Sequence, residues 1–477
     1  MGSGTRSITF DAVVGTDRGA DEPPDTLETA PSGERPAEPP RLPPTLVQLL
    51  CADDLRPPPL RHWLEGCTEI RVHRGPDPFV KRERTTLAIA VADPYASTHH
   101  LVLRPISSGF VAADEGSTNG TFVDGQRLAP GEERAVEAGI LEVGHTFFHL
   151  RSDVRGTRDT PADQADGEPL TFHPGFALGL TTASRLARRA HDVLVTGESG
   201  AGKEVLARWL HRISGRPGPL LAVNCAAVPE PLLEDELFGH VKGAFSGAQG
   251  DRLGLFRAAQ QGTLLLDEVG DMPPPLQAKL LRVIEDRRVR PVGSEEEIQV
   301  DVQVLAATHR DLRALVDEGR FREDLLARLG LPPLRVPPLR EHREDLGLLV
   351  RRILREVPRG LERVRFELDA LRMVLLHSWP LNVRELRRAL LAAVDLADPE
   401  DTGAVVIGPR HLPAALERAA APPAPTLSDQ DRELRDRLVA LLARHRGNVA
   451  AVARDLGTPR TRVQRLMARF RVQRPGD

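Results

Sequence analysis

Apolar and polar positions alternate in short runs between residues 68 and 151, as in "LAIAV", "HHLVLRP" and "GTFVDG". Successive residues of a strand face opposite ways, so this period predicts a small all-β domain. From 172 to 415 the pattern changes. Continuous apolar runs ("HDVLVTG", "GTLLLDE", "VQVLAAT") alternate with helical patterns, which predicts an α/β domain built on a parallel sheet. Polar stretches at 152–171 and 416–428 read as linkers, and 429–477 is helical. Residues 1–67, rich in proline and charge, carry too little apolar content to fold alone, so we expect them to be largely disordered. Within them only "TLVQLL" is apolar enough to dock on something.

Composition narrows the setting. At 477 residues the chain is too long for one ordinary core. The net charge of −4 argues neither for nor against a nucleic-acid partner. Cys51, Cys67 and Cys225 form no disulfide framework, and no run approaches the roughly 20 apolar residues of a membrane span. No signal pattern opens the chain. The expectation is a cytoplasmic protein with no membrane partner. Four lysines stand against sixty arginines, a bias that discounts any isolated arginine cluster.

Two motifs carry phosphate chemistry. "VLVTGESGAGKE" (193–204) is an apolar strand entering G-x-x-x-x-G-K ahead of a helical stretch. Backbone N–H groups of Gly197, Glu198, Ser199, Gly200, Ala201 and Gly202 can wrap phosphate oxygens there, with Lys203 reaching the β/γ-phosphates. Glu204 stands where Ser or Thr usually meets Mg²⁺. "GTLLLDEVG" (262–270) is a second apolar strand ending in paired carboxylates. Downstream of a phosphate loop, Asp267 is expected to hold Mg²⁺ and Glu268 to polarise the attacking water. ATP hydrolysis follows from the pair.

A third stretch, "GHVKGAFSGAQG" (239–250), sets Phe245 in a glycine-rich loop that has little means of burying it. Together with "GESGAGKE", "NCAAVPEPLLEDELFGHVKGAFSGA", "GTLLLDEVGDMPPPLQAKLLRVIEDRRVRPVG", "ATHRDL", "GRFREDLLARL", "VPPLREHREDL" and "WPLNVRELRRAL", it resembles the AAA+ domain of bacterial enhancer-binding proteins, the activators of sigma-54 RNA polymerase. The resemblance implies a helical lid from about 338 and a contact loop, Gly243, Ala244, Phe245, Ser246, Gly247 and Ala248, that presses on sigma-54. Ser246 replaces the family's Thr. The resemblance also implies that Asn224 restrains Glu268, that Thr308 and His309 form sensor I, and that Arg322 and Arg328 are arginine fingers reaching a neighbour's ATP. Arg384 matches the sensor II arginine; Leu381 stands where the family usually has Gly. Activity then requires a homo-oligomeric ring, a hexamer as first expectation.

The two ends carry further resemblances. "RHRGNVAAVARDLGTPRTRVQRLMARFRV" (444–472) has an apolar-periodic helix, a break at Gly457 and a second, Arg-rich helix. That is helix-turn-helix logic for double-stranded DNA. It is similar to the Fis-type domain of the same family, which binds upstream activating sequences. Arg460, Thr461, Arg462, Gln464 and Arg465 are its candidate contacts. "EGSTNGTFVDGQRL", preceded by "DPYASTHHLVL", resembles a forkhead-associated (FHA) domain over 68–151. That implies phosphothreonine recognition by Arg82, Ser97, Thr98, Thr118 and Asn119, with His100 and Ser117 bracing the loops and a Ser/Thr kinase upstream. The first reading is therefore an ATP-driven transcription activator gated by phosphothreonine. A DNA-binding regulator that uses nucleotide only to assemble, and a remodeller of other proteins, are the alternatives.

Overall fold

The computed structural model describes residues 41–158, 169–329, 332–358, 360–399, 403–414 and 416, with isolated positions between 441 and 463. The candidate DNA contacts Arg460, Thr461, Arg462, Gln464 and Arg465 lie outside the described residues.

Two six-stranded sheets face each other in the N-terminal domain. One runs in the order Gln126–Arg127, Thr121–Val123, Ala138–Val143, Thr146–Arg151, Thr45–Cys51, Leu60–Trp63. The other runs Glu133–Val136, Gly109–Asp114, Leu101–Ile106, Glu69–Arg74, Thr86–Val91, Phe79–Glu83. Leu46, Ile70, Val72, Leu101, Leu103, Leu141, Phe148 and Leu150 fill the space between them. This is the all-β domain that alternation predicts, with one correction. The segment expected to be unstructured up to 67 supplies three strands: Arg41–Leu42 pairs with Val154–Arg155, and Thr45–Cys51 pairs antiparallel with Thr146–Arg151 and with Leu60–Trp63. Its "TLVQLLC" shows no clean alternation because both faces of the strand are buried, as for any strand covered on two sides. Flanking prolines lower the average apolar content and hide it.

The central domain is a parallel sheet in the order Leu220–Asn224, Thr263–Asp267, Gln303–Thr308, Val193–Thr196, Leu334–Arg335. Helices Pro174–Arg188, Lys203–Ser214 and Pro274–Asp286 are amphipathic companions of that sheet. Every strand points the same way, so all carboxyl ends share one edge, where α/β sheets place their ligands. Thr196 sits level with Thr308, and Asn224 with Asp267.

Beyond Pro338 the chain becomes the lid: helices Leu346–Arg355, Leu368–Leu376 and Asn382–Leu396, with a short parallel pair Val364–Phe366 and Val405–Ile407. Its apolar core does not stop at the lid. Val47, Leu49, Leu50, Ala52, Leu55, Ile140 and Phe147 from the sandwich belong to the same continuous cluster as Val350, Leu354, Phe366, Leu371 and Val374. The strand Thr45–Cys51 thus gives one face to the sandwich and the other to the lid.

Candidate functional site

At the carboxyl edge of the sheet, Val193–Thr196 ends and the chain turns through Gly197, Gly200 and Gly202, all at positive φ (158°, 77° and 100°). Side chains rarely adopt that backbone, and at Gly200 an added Cβ would also lie 2.2 Å from the Leu381 carbonyl of the lid. Lys203 opens the following helix and is buried. Its Nζ donates to the Gly197 and Glu198 carbonyls at 2.9 and 3.3 Å.

The paired carboxylates stand opposite. Burial, then the charge of Glu268, raises the pKa of Asp267, while Lys203 opposes the rise. Glu268 occupies the left-handed region (φ 53°), which turns its side chain off the strand line. Its Oε1 lies 3.7 Å from Lys203 Nζ. Its Oε2 accepts from the His309 backbone N–H at 3.1 Å and lies 2.7 Å from His309 Nδ1. Asn224 behaves otherwise than expected. Its side-chain carbonyl accepts from the N–H groups of Ala226 and Ala227, and its amide donates to Asp267 at 3.4 Å, so the restraint on Glu268 comes from His309. Thr308 is fully buried, and its carbonyl accepts from Gly197 N–H, joining the end of the strand Gln303–Thr308 to the phosphate loop. Two half-buried carboxylates with a single lysine nearby suit a dication, and Asp267 is the ligand this set offers Mg²⁺. Glu204, in the Mg²⁺-facing position of the loop, pairs its carboxylate with Arg208 one helical turn on, and its charge adds to those that raise Asp267.

The lid closes over this loop. Arg340 makes a bidentate pair with Glu198 (2.8 and 2.6 Å), and its hydrogen bonds hold that carboxyl down to about 2. Asn382 donates to Glu198 Oε2 and to the Ser199 carbonyl. Arg384 reaches the Ser199 hydroxyl at 3.0 Å, and its N–H reaches the Gly200 carbonyl. Leu381 itself keeps φ −100°, and the positive φ of this turn falls on Asn382, a residue type that tolerates it, and on Trp379. Sequence reasoning gives no role to Arg340 or Asn382, although Arg340 lies inside a motif the chain displays plainly.

Arg322 caps the short helix Glu323–Arg328, Arg328 is its last residue, and both are exposed. Arg322 forks onto Asp324 (3.0 and 2.7 Å), and Arg328 approaches Glu285 at 3.8 Å. None of the contacts described for either side chain is with the phosphate loop of their own chain. Phe245 is also outside the core, 48% exposed, with its ring edge-on to His240 at 4.9 Å. Gly243 and Gly247 on either side of it have positive φ, and a Cβ added to either would meet nothing within 4 Å. Ala244 and Ser246 complete the tip, and Ala248 N–H closes the turn onto the Phe245 carbonyl at 3.0 Å.

On the sandwich, Ser97, Thr98, Thr118 and Asn119 converge on a cleft of 540 Å³. Ser97 Oγ accepts from Thr118 N–H, and Asn119 donates to the Tyr95 carbonyl. Buried His100 spans Ser97 N–H and the Gly120 carbonyl, and Ser117 bonds Asp114, so both brace the loops. Arg82 is a correction. It sits on the edge strand Phe79–Glu83, where its guanidinium donates to the Glu65 carbonyl and lies 3.0 Å from Cys67 Sγ. The arginine in the cleft is Arg74, last residue of the strand Glu69–Arg74, whose N–H donates to the Ser97 carbonyl. Its position at the carboxyl end of an alternating strand is the signal in the sequence that marks it.

Comparison with known proteins gives three family matches: a sigma-54 interaction domain over residues 173–335, an AAA+ ATPase lid domain over 340–428 and an FHA domain over 82–140. The transcriptional regulatory protein GlrR of Escherichia coli K12 is 43% identical over 312 residues, covering 64% of this chain and 69% of GlrR. The response regulator PilR of Pseudomonas aeruginosa is 43% identical over 311 residues, covering 63% and 69%. Among solved structures, NtrX of Brucella abortus in complex with ADP matches with TM-score 0.47 and 34% identity, over 64% of this chain and 70% of that one.

Proposed function

The chain belongs to the sigma-54-dependent transcriptional regulators, and from that premise we propose that it spends ATP hydrolysis on remodelling the closed complex of sigma-54 RNA polymerase. Its central domain is an AAA+ ATPase that binds ATP, and an FHA domain precedes it. In the proposed cycle Lys203 leaves the Gly197 and Glu198 carbonyls for the phosphates, so the same ammonium serves both states. Mg²⁺, held at Asp267, would neutralise charge on the phosphates. Glu268, released from His309, takes up the water proton. Arg322 and Arg328 serve the ATP of a neighbouring ring subunit, a contribution of about 10³–10⁵ in rate for arginine fingers of this kind.

The output is the loop around Phe245. Its aromatic ring, out of the core between two open glycines, is the single observation that carries this reading. A large apolar side chain left in water is stable at an interface that provides its pocket, and sigma-54 provides it here. The cleft at Arg74, Ser97, Thr98, Thr118 and Asn119 reads a phosphothreonine protein, and the C-terminal segment binds DNA upstream of the promoter. The test is open-complex formation on a sigma-54 promoter with ATP. Wild-type protein is expected to melt the promoter and F245A to fail while still hydrolysing ATP. Equal melting by both would remove the loop from the mechanism.

A further inference from the structure

Three groups of contacts tie the sandwich to the lid. The first is the shared apolar core around Val47, Leu49, Phe147, Val350 and Leu354. The second is steric: Gly347 in the helix Leu346–Arg355 lies so close to the sandwich that a Cβ there would sit 2.5 Å from the Leu49 carbonyl and 2.9 Å from Pro59. Only glycine lets helix and strand approach this far. The third is polar. Arg372 of the lid makes a bidentate pair with Glu142 of the sandwich (2.8 and 2.7 Å), with Glu142 buried and the guanidinium over the Phe122 ring. Arg151 bonds Glu344 and the Glu341 carbonyl, and Phe366 N–H donates to the Ala52 carbonyl.

The lid's grip on the nucleotide loop is of another kind. It consists of polar contacts through Arg340, Asn382 and Arg384 to Glu198, Ser199 and Gly200, residues that ATP itself approaches. A joint made of packed core resists bending, because separating it exposes apolar surface. A joint made of exposed hydrogen bonds exchanges readily with water and phosphate.

We propose that the sandwich and the lid are one rigid lever, hinged over the nucleotide, so that the phosphothreonine cleft is carried on the moving part of the ATPase. This rests on the ATPase reading given above. It assigns the regulatory route: the cleft is joined to the lever through Tyr95, stacked on His145 at 3.7 Å, whose carbonyl accepts from Ala52 N–H beside the Phe366 bond. A phosphoprotein held in the cleft and large enough to touch the α/β body then favours one lid position, and nucleotide state must alter its affinity in return.

The test uses energy transfer in the full-length protein. Native Cys67 and Cys225 are buried, and burial pushes the half-buried Cys51 thiol up to about 11, so introduced surface cysteines label selectively. Ser108→Cys marks the sandwich, Ala392→Cys the lid and Ala314→Cys the α/β body; all three positions are exposed. On adding ATPγS, whose binding is measured separately, the 108–314 transfer is expected to change while the 108–392 transfer stays constant. Gly347→Val, or the milder E142Q in combination with R372Q, is expected to loosen the 108–392 pair and broaden its distribution. A nucleotide-dependent 108–392 distance, or no change in either pair, overturns the lever. Failure of ATPγS to bind overturns the ATPase reading and the lever with it.

Discussion

Arg74 and Arg82 show how little separates, in sequence, an arginine that lines the cleft from one on the edge strand. Both are arginines near the start of the FHA match, but only Arg74 lines the cleft. Phosphate recognition needs a guanidinium within reach of Ser97 and Asn119, so R74Q is expected to abolish phosphothreonine-peptide binding, measured by fluorescence anisotropy. R82Q is expected to leave affinity within about 2-fold, since an exposed edge-strand contact contributes little. The nucleotide residues are legible because phosphate chemistry demands a fixed local spacing: Lys203, Asp267 and Glu268 sit where the motif puts them. The partner of Glu268 is not legible. His309 and Asn224 both lie at strand ends on the same edge, and which one reaches the carboxylate depends on the left-handed turn at Glu268.

Strands and helices follow the apolar pattern where one face is wet, and escape it where both are dry. Thr45–Cys51 is the instructive case, since a strand serving two cores offers no alternation to read. At the phosphate loop the lid presses its backbone onto Gly200, where an added Cβ meets the Leu381 carbonyl at 2.2 Å and φ is 77°. Gly200→Ala therefore demands both a strained backbone and a displaced lid. The expected outcome is loss of ATP binding by at least about 10-fold in titration calorimetry, with the sandwich still folded; a left-handed Ala alone costs only about 1–2 kcal/mol.

Across the assembled domains, charge is buried at the junction of sandwich, linker and lid. Burial pushes His149 down to about 3 and His173 and His62 down to about 4, from 6.5. His149 faces Glu344, Arg151 and Arg343, and His173 faces His342, Asp345 and Arg151. These imidazoles stay neutral in the folded chain and take up protons once unfolded. Stability is thus full above pH 6.5 and declines as pH falls from there toward 4, by up to roughly 1.4 kcal/mol per pH unit for each histidine. Glu344, raised by burial, works the opposite way in the carboxylate range. Urea midpoints at pH 7.5 and 5.5 are expected to show the loss, and His149→Gln to reduce it; equal midpoints would remove these histidines from the linkage.

The close seat of Gly347 against Leu49 also bears on how such regulators can be recombined. Sensors are commonly imagined as plugs, exchanged by cutting in the tether between them and the motor. Here a cut in 152–171 would leave the motor with an open greasy wound where Leu49, Leu50 and Phe147 used to be. A chimera that responds to a new signal would have to inherit motor cap and sensor as a single graft.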